Sequence, residues 1–204
     1  MSLPQFSPMP LAVLGQPFDH PDWLFELKYD GFRALAYVED GSVRLISRKS
    51  NAYKSFPALC RSVGESVRVQ DAILDGEIVH LDANGKPQFM SLLRRRSPQH
   101  FVGFDVLWLN GKDVRGLPLL ERKRILRSAV PVSSASLLYA DHFEGSGREL
   151  YRAVCEMDLE GIVAKRKNGL YTPDETTWVK IRNPMYSQME GRRELFEKRR
   201  GTAA

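Results

Sequence analysis

Cysteine is scarce in this sequence, with only Cys60 and Cys155 among 204 residues. The two lie far apart and form no CxxC pair, which argues against a zinc knuckle and fits a reducing compartment. None of the four histidines shows a recognisable partnership with a cysteine or with a serine elbow. A serine or cysteine hydrolase and a zinc protein therefore have no support in the sequence.

Long apolar runs are also missing. The first residues, MSLPQFSPMPLAVLG, contain no basic segment followed by a long apolar stretch, so we expect no signal peptide. No stretch of the chain is long enough to span a bilayer. The expected location is the cytoplasm, with no membrane partner.

The usual phosphate-binding loops are absent as well. There is no GxxxxGK[ST] motif, and Gly145-Ser146-Gly147 begins a GxG that fails at Leu150. Internal repeats and low-complexity tracts are absent too. A nucleotide site in this chain would have to be built in some other way.

The charge and composition are those of a globular protein with a mild basic excess. The net charge is +5 and the sequence pI is about 9.3, which suits a nucleic-acid or nucleotide partner but is shared by many proteins that have neither. The length predicts one domain, or slightly more, with enough residues for a sizeable core.

Turn signals and hydrophobic periodicity indicate a mixed fold. Alternating runs predict strands that turn at Asp40-Gly41, Asn84-Gly85 and Asn110-Gly111. Helical spacing appears in LPLLERKRILRSAV and GRELYRAVCEM, and the Pro-rich residues 1–22 should be extended. Because strands and helices follow no regular βαβ rhythm, we expect an α+β fold with antiparallel sheets.

A lysine stands inside the apolar stretch WLFELKYDGFRALAY. In a strand, Glu26, Lys28 and Asp30 would share one face, with apolar residues between them on the other. A free lysine amine, with a pKa of about 10.4, is almost wholly protonated at neutral pH, but burial and nearby cations lower that pKa. Such an amine can attack phosphorus or a carbonyl. K-x-D-G-x-R thus predicts a nucleophilic Lys28; the alternative is an ordinary surface hairpin with a charge pair.

Other strands supply the charges that a phosphoryl-transferring lysine needs. LDGEIV places Asp75 and Glu77 on one face, and Glu160 begins a further strand, so carboxylates for a metal ion are present. In WVKIR, Lys180 and Arg182 share a face and could stabilise developing negative charge. Each charge alone is more often an ordinary solvated group; their occurrence together favours a site.

Taken in order, these motifs resemble the nucleotidyltransferase (adenylation) domain of ATP-dependent DNA ligases, most closely the bacterial ligase D type and its stand-alone relatives. The matching motifs are KYDGFR at 28–33, SRKSN at 47–51, LDGEIV at 74–79, FVGFDVLWLNG at 101–111, EGIVAKR at 160–166 and WVKIR at 178–182. The resemblance covers nearly all of residues 8–182. It implies two antiparallel sheets flanked by helices, the ATP-grasp-like nucleotidyltransferase fold of ligases and capping enzymes.

The resemblance implies a reaction. Lys28 would attack the α-phosphate of ATP, expel pyrophosphate and retain AMP as a phosphoramidate, with Mg²⁺ or Mn²⁺ as the metal. AMP would then pass to the 5′-phosphate of nicked double-stranded DNA, where the 3′-hydroxyl displaces it. This would be a role in DNA repair, recombination or replication, in the bacterial cytoplasm or nucleoid.

The resemblance also assigns the surrounding residues. The expected nucleotide-binding set is Glu26, Leu27, Arg33, Arg48, Glu77, Phe104, Lys165, Lys180 and Arg182. Phe104 would stack on adenine, unless it is simply a core aromatic. Glu26 would lie at the adenine edge, unless it forms a plain ion pair. Glu77 would contact the ribose or help hold the metal, and Glu160 would bind the metal.

Two of the cationic residues, Arg182 and Lys165, differ from what the family pattern or strand geometry would give. Arg33 and Arg48 would contact the ribose region or the nick phosphate, while Lys165 and Lys180 would hold the α-phosphate. Arg182 stands where many relatives have a second lysine, so the geometry of phosphate binding should differ. In a straight strand Lys165 lies on the face opposite the first residue of EGIVAKR, which implies either a bulge or a weaker role.

We expect an adenylation domain over residues 1–182 and a charged, helical tail over 183–204, with no OB-fold domain. The five basic residues at 192–200 could touch DNA phosphates, although a solvated helix with i,i+4 pairs is the plainer interpretation. Nick sealing could then need an OB-fold or repair protein in trans. The alternatives are a nucleotide- or DNA-end-binding subunit and an RNA ligase-like nucleotidyltransferase.

Overall fold

The computed structural model describes residues 3–189, which form two sheets and four helices. The first sheet contains, in spatial order, β1 (Leu11–Val13), β11 (Trp178–Arg182), β10 (Gly161–Arg166), β2 (His20–Leu27) and β9 (His142–Gly145). The second contains β4 (Ser42–Ser47), β3 (Phe32–Glu39), β5 (Asp71–Val79), β6 (His100–Leu109) and β7 (Lys112–Asp113), with β8 (Leu137–Tyr139) also beside β6. The helices are α1 (Pro57–Ser66), α2 (Phe89–Leu93), α3 (Leu119–Ala129) and α4 (Gly147–Glu156).

Strand pairing within residues 3–189 is antiparallel except at two places, where β1 runs parallel to β11 and β8 runs parallel to β6. The α+β prediction with antiparallel sheets is confirmed. None of the helices in this part of the chain is long and apolar enough to cross a membrane.

Two of the three expected turns join consecutive strands. Asp40 and Gly41 between β3 and β4 have φ of 47° and 77°, and Asn110 and Gly111 between β6 and β7 have 45° and 80°. Two successive positive φ values are the mark of a tight turn between antiparallel strands. The third prediction, a hairpin of two strands around Asn84-Gly85, is wrong. The turn at Gly85 lies beyond the end of β5 and closes only the single bridge between Leu81 and Pro87. The strand β5 pairs with β3 and β6 instead.

The second sheet is buried on both faces. Along β3, Ala34 and Ala36 enter a cluster that includes residues of α1 and α3, whereas Leu35 and Tyr37 enter another that contains Trp178 of the first sheet. Successive side chains of a strand point to opposite faces, so this alternation assigns one face to the helices and one to the opposing sheet.

The first sheet is covered on its outer face by α4. Leu150 and Val154 of α4 pack in one cluster with Phe25, Ile162 and Ile181 from three strands of this sheet. Ile181 belongs to this cluster and Val179 packs against it, so these two residues of WVKIR face α4. The alternate residues of β2, β10 and β11 therefore face the second sheet, and the polar residues of the motifs lie between the two sheets.

Candidate active site

Lys28 lies immediately after β2, at the junction of two cavities between the sheets. Its backbone N–H donates to the carbonyl of Gly161 at 2.9 Å, which holds the residue against the start of β10. The Lys28 Nζ is 2.6 Å from Glu160 Oε2, and the Lys28 side chain is 16 % exposed. The amine is thus held by one carboxylate and remains open to the cleft.

The larger cavity is an open cleft of about 1020 Å³. Its charged lining residues are Lys28, Arg33, Arg48, Lys49, Glu77, Glu160, Lys180 and Arg182. Six of these eight are cations, so the cleft attracts anions such as phosphates.

The smaller cavity is a narrow pocket of about 60 Å³ that shares Lys28 with the cleft. Its lining residues are Leu11, Glu26, Leu27, Lys28, Tyr29, Arg33, Glu77, Phe104, Val163, Lys165 and Trp178. Aromatic and aliphatic walls with a few placed polar groups are typical of a site for a flat ligand such as a base. We call this the base pocket.

Two lysines hold Glu26 at the inner end of the base pocket. Lys123 Nζ donates to Glu26 Oε1 at 2.7 Å and to the carbonyl of Ala140 at 2.6 Å. Lys165 Nζ is 2.6 Å from Glu26 Oε2, and all three charged side chains are at most 3 % exposed. Burial acts to raise the pKa of Glu26, but the two ammonium groups outweigh it, and the net pKa lies below the ordinary value.

Lys165 also contacts two aromatic rings. Its ammonium lies 3.9 Å from the ring centroid of Trp178 and 4.5 Å from that of Phe104, within the range of cation–π attraction. Burial lowers the pKa of Lys165, against the opposing effect of Glu26. Phe104 borders the base pocket and is only partly buried, so one side of its ring is not fully packed.

The orientation of Lys165 does not need a bulge within β10. Val163 and Lys165 both line the base pocket, and the pairing of β10 with β2 and β11 is regular. The irregular residue is Gly161, whose φ of 145° is a conformation that side-chain-bearing residues rarely adopt. A Cβ there would come within 2.2 Å of the carbonyl of Ile181. The alternation breaks at the first residue of the strand, so Glu160 faces the cleft and Lys165 the base pocket, the two cavities that share Lys28.

Arg33 forms a buried network rather than an open phosphate contact. Its Nε and Nη2 donate to the two oxygens of Asp75 at 3.1 and 2.7 Å, and Nη1 donates to the carbonyl of Met9 at 2.6 Å. Tyr171 completes the network by donating to Asp75 at 2.6 Å and accepting from the N–H of Met9 at 3.0 Å. Arg33 borders both cavities, but its donors are largely occupied; its contact with ribose or phosphate stays a prediction.

Glu77 lies opposite Arg33 in the register of β3 and β5 and borders both cavities. Burial raises the pKa of Glu77 to about 8, Glu160 and Asp30 add to that rise, and Lys28 and Arg33 oppose it. Within residues 3–189, no ion pair involves Glu77, since Lys28 pairs with Glu160 and Arg33 with Asp75. A neutral Glu77 is therefore favoured near neutral pH.

The remaining predicted cations lie at the open side of the cleft. Arg48 and Arg182 are exposed, and Lys180 is partly buried. Burial lowers the pKa of Lys180, and the positive charges of Arg182 and Lys28 lower it further. The structure thus brings these three cations together around the amine of Lys28.

One expected neighbour of Lys28 lies elsewhere. Asp30 borders neither cavity, because β2 ends at Leu27 and its alternation does not continue to residue 30. Asp30 is buried, and Tyr186 donates to its Oδ2 at 3.1 Å. The predicted common face of Glu26, Lys28 and Asp30 is therefore wrong for Asp30.

The predicted tail falls partly within the described residues. Asn183 donates to the carbonyl of Leu159 at 3.1 Å, Gln188 accepts from the N–H of Phe89 at 3.0 Å, and Met189 borders the cleft. This segment is thus packed on the domain beside the site. The basic residues predicted to touch DNA or solvent at 192–200 lie outside the described residues.

Lys123 is the main residue of the site that the sequence interpretation missed. A signal was present, since Leu119, Arg122, Lys123 and Leu126 have the spacing of one helical face. Two cations on an apolar stripe indicate buried partners. Those partners are Glu26 for Lys123 and Asp105 for Arg122, whose Nε and Nη2 donate to the two Asp105 oxygens at 2.8 and 2.9 Å.

Comparisons with known proteins agree on one family. The family model described as ATP dependent DNA ligase domain matches residues 14–182. The SPbeta prophage-derived DNA ligase-like protein LigB of Bacillus subtilis is 30 % identical over 193 residues, covering 90 % of this chain and 69 % of its own. The multifunctional non-homologous end joining protein LigD of Mycobacterium bovis is 32 % identical over 163 residues, covering 78 % of this chain and 21 % of its own.

A solved structure matches the fold. The chain of "mycobacterial DNA ligase D complexed with ATP and MES" superposes with a TM-score of 0.72 at 28 % identity, covering 86 % of this chain and 60 % of the other. The present chain thus spans only a fifth of that LigD relative and less than two thirds of the matched structure.

Proposed function

The chain belongs to the ATP-dependent DNA ligase domain family, and from that premise we propose that it adenylates itself on Lys28 and transfers the AMP to DNA. The observation that carries the proposal is the position of the Lys28 amine. It lies where a cation-lined cleft meets an aromatic pocket, so a nucleotide with phosphates in one and a base in the other would pass beside it.

The first step forms a bond between Lys28 Nζ and the α-phosphorus of ATP. The bond from that phosphorus to the bridging oxygen breaks, and pyrophosphate leaves with the electron pair. The attacking amine must lose a proton, and Glu160, whose Oε2 is 2.6 Å from Nζ, is the nearest group that can accept it. Lys180, Arg182 and Arg48 are the cations placed to stabilise negative charge on the phosphates.

The donor set fits a divalent ion that is shared with substrate phosphates. Glu77 and Glu160 border the same cleft, and residues 3–189 contain no group of three or more metal-ligating side chains. Mg²⁺ is commonly bound by one or two carboxylates together with substrate phosphates. When bound, such an ion neutralises charge on the phosphates and orients them. We assign Glu77 and Glu160 as its ligands, with Mg²⁺ or Mn²⁺ as candidates.

The base pocket supports ATP as the nucleotide. The Glu26 carboxylate only accepts hydrogen bonds when ionised, and Lys123 and Lys165 keep it ionised. An acceptor at the end of the pocket favours the amino edge of adenine over the carbonyl edge of guanine. Phe104 is the aromatic placed to stack on the base.

The substrate of the later steps is proposed to be nicked double-stranded DNA, as in DNA repair. The relatives, which include DNA ligases and end-joining proteins, support DNA as the substrate, and none of those compared favours RNA. We also propose that sealing draws on an OB-fold or repair partner, acting in the cytoplasm or nucleoid.

The test is incubation with α-labelled ATP and Mg²⁺, followed by denaturing gel analysis. Label should remain on the wild-type protein and on Lys54→Ala, which removes an exposed lysine outside both cavities, and it should be absent from Lys28→Ala. Adenylated protein should then transfer its label to a nicked duplex. A wild-type protein that stays unlabelled across metals and pH would show that the proposed chemistry is wrong.

A further inference from the structure

Three consecutive arginines, Arg94, Arg95 and Arg96, follow α2 and belong to none of the motifs described above. We call them the arginine loop. All three are exposed, and no ion pair within residues 3–189 involves any of them. Three adjacent positive charges repel one another, so this arrangement is one that an anionic partner would stabilise.

The backbone of the arginine loop is fixed from both sides. The N–H of Arg95 donates to Leu92 at 2.8 Å, and the Gln99 side chain donates to the carbonyls of Arg95 and Arg96 at 3.2 and 2.7 Å. Arg95 has a φ of 57°, which is uncommon for a residue with a side chain. Leu92, the residue that anchors the loop, is fully buried.

The helix that precedes the loop is in contact with a residue of the cleft. At the start of α2, the ring of Phe89 packs edge-on against Phe32 at 5.7 Å, and Phe32 lines the cleft. At the other end, the carbonyl of Pro98 is 2.9 Å from Nδ1 of His80. His80 follows Glu77 by three residues, roughly 10 Å along an extended chain. The arginines therefore follow a helix that packs on Phe32, a residue of the cleft lining, although the loop itself lines neither cavity.

We infer that the arginine loop is a docking site for the phosphate backbone of the duplex that flanks the nick. The inference rests on the proposed function, because only a nick held at Lys28 brings a duplex to this side of the domain. Duplex DNA carries a phosphate about every 3.4 Å along each strand, so a duplex reaching Lys28 presents several phosphates to its surroundings. Guanidinium groups bind phosphate oxygens with paired donors. The assigned contact is with the backbone and would carry no sequence preference.

The experiment measures binding of a fluorescently labelled, non-ligatable nicked DNA duplex by anisotropy over a range of salt concentrations. The Arg94→Gln/Arg95→Gln/Arg96→Gln variant should bind about tenfold more weakly or worse near 0.1 M salt, and its log–log salt slope should be shallower by about two. The corresponding triple arginine-to-lysine variant should keep the wild-type slope, because it keeps the charges. The matched control removes three exposed arginines elsewhere, as Arg61→Gln/Arg148→Gln/Arg152→Gln, and should bind nearly as wild type.

Self-adenylation with labelled ATP is measured on every variant. It should be unchanged in the loop variant, which shows that the protein is folded and that Lys28 is competent. Equal losses of DNA binding in the loop and control variants, or no loss in the loop variant, would overturn the inference. So would a loop variant that loses affinity for a nicked RNA duplex while binding the DNA duplex as wild type. Absence of self-adenylation in the wild-type protein is a separate result. It would contradict the proposed function, whatever the DNA-binding measurements show.

Discussion

Glu26 and Glu77 are two glutamates that line the base pocket together with Lys28, yet their pKa values shift in opposite directions. The pKa of Glu26 lies below its ordinary value, and the pKa of Glu77 is raised to about 8. Burial raises both, so burial cannot be the difference. The difference lies in how many nearby cations are already committed to other carboxylates.

At the inner end, Glu26 receives both Lys123 and Lys165 and has no competing carboxylate in direct contact. At the open end, Lys28 pairs with Glu160 and Arg33 with Asp75, so Glu77 feels these cations only at reduced strength and feels Glu160 as a like charge. The site therefore has one carboxylate whose pKa lies below its ordinary value and one whose pKa lies well above it. The first suits recognition of a base, and the second suits binding of a metal ion.

Removing a cation from the inner end should have the largest effect. Lys123→Met keeps the apolar stem but leaves Glu26 buried with one ammonium instead of two. Breaking a buried ion pair costs about 3–5 kcal/mol. Because Lys165 still pairs with Glu26, we expect the free energy of unfolding to fall by about 3 kcal/mol. Urea denaturation measures it.

The control for this variant is Arg124→Met, one residue further along α3 and exposed, which should change stability by less than about 0.5 kcal/mol. Adding Glu26→Gln to Lys123→Met should cost less than the sum of the two single losses. A Lys123→Met protein as stable as wild type would contradict the account of the inner end.

Glu77→Gln should have a smaller effect that depends on pH. Because folding raises the pKa of Glu77 from 4.5 to about 8, its contribution to stability is fully present below about pH 4.5 and is lost as pH rises through about 8. The glutamine variant should not lose this contribution. Relative to wild type it should gain about 1–2 kcal/mol between pH 5 and pH 9, a figure kept low because Glu77 is partly exposed to the cleft.

The measurement is the free energy of unfolding across this range in the presence of EDTA, so that no metal ion contributes. Glu39→Gln is the control, a glutamate paired with an exposed Arg44 far along β3. Parallel pH profiles for wild type and Glu77→Gln would show that Glu77 is already ionised at neutral pH.

Glu160→Gln should have the smallest effect on the pH-dependent part of the stability, and it sharpens the comparison most directly. The substitution removes a like charge from Glu77 and releases Lys28 from its partner, and both changes lower the pKa of Glu77. The pH-dependent loss of stability should therefore move to lower pH, and the part of the stability that depends on the titration of Glu77 should change by less than about 1 kcal/mol at pH 7. The difference in stability between Glu160→Gln and Glu160→Gln/Glu77→Gln, measured against pH, isolates the titration of Glu77. If the pH of that transition is the same as in wild type, Glu160 does not influence Glu77.

Much of the framework could be predicted from the sequence. The α+β fold, the turns at Asp40-Gly41 and Asn110-Gly111 and the helices α3 and α4 follow from local patterns and are confirmed. The resemblance to ATP-dependent DNA ligases, carried by six ordered motifs, is confirmed by the family match over residues 14–182. The roles of the individual site residues stay predictions, although the structure brings all of them to the two cavities.

The errors have a common cause. The hairpin expected at Asn84-Gly85 failed because strand pairing for β5 is decided by two distant neighbours. Asp30 was placed on the wrong side because the end of β2 is set by its contact with β10, which the sequence of β2 does not contain. Lys123 was missed because its partner, Glu26, lies 97 residues away.

The order of residues along the chain determined which segments become strands or helices, which face of each strand is polar, and which amine is predicted to be the nucleophile. Those properties depend on neighbours within a few positions. Only the packing of one sheet on the other decided which charge meets which: Lys28 with Glu160, Arg33 with Asp75, and Lys123 with Glu26. The strength of an interaction between two charges falls with distance and rises with burial. The pKa values of these carboxyl groups are therefore properties of the folded arrangement.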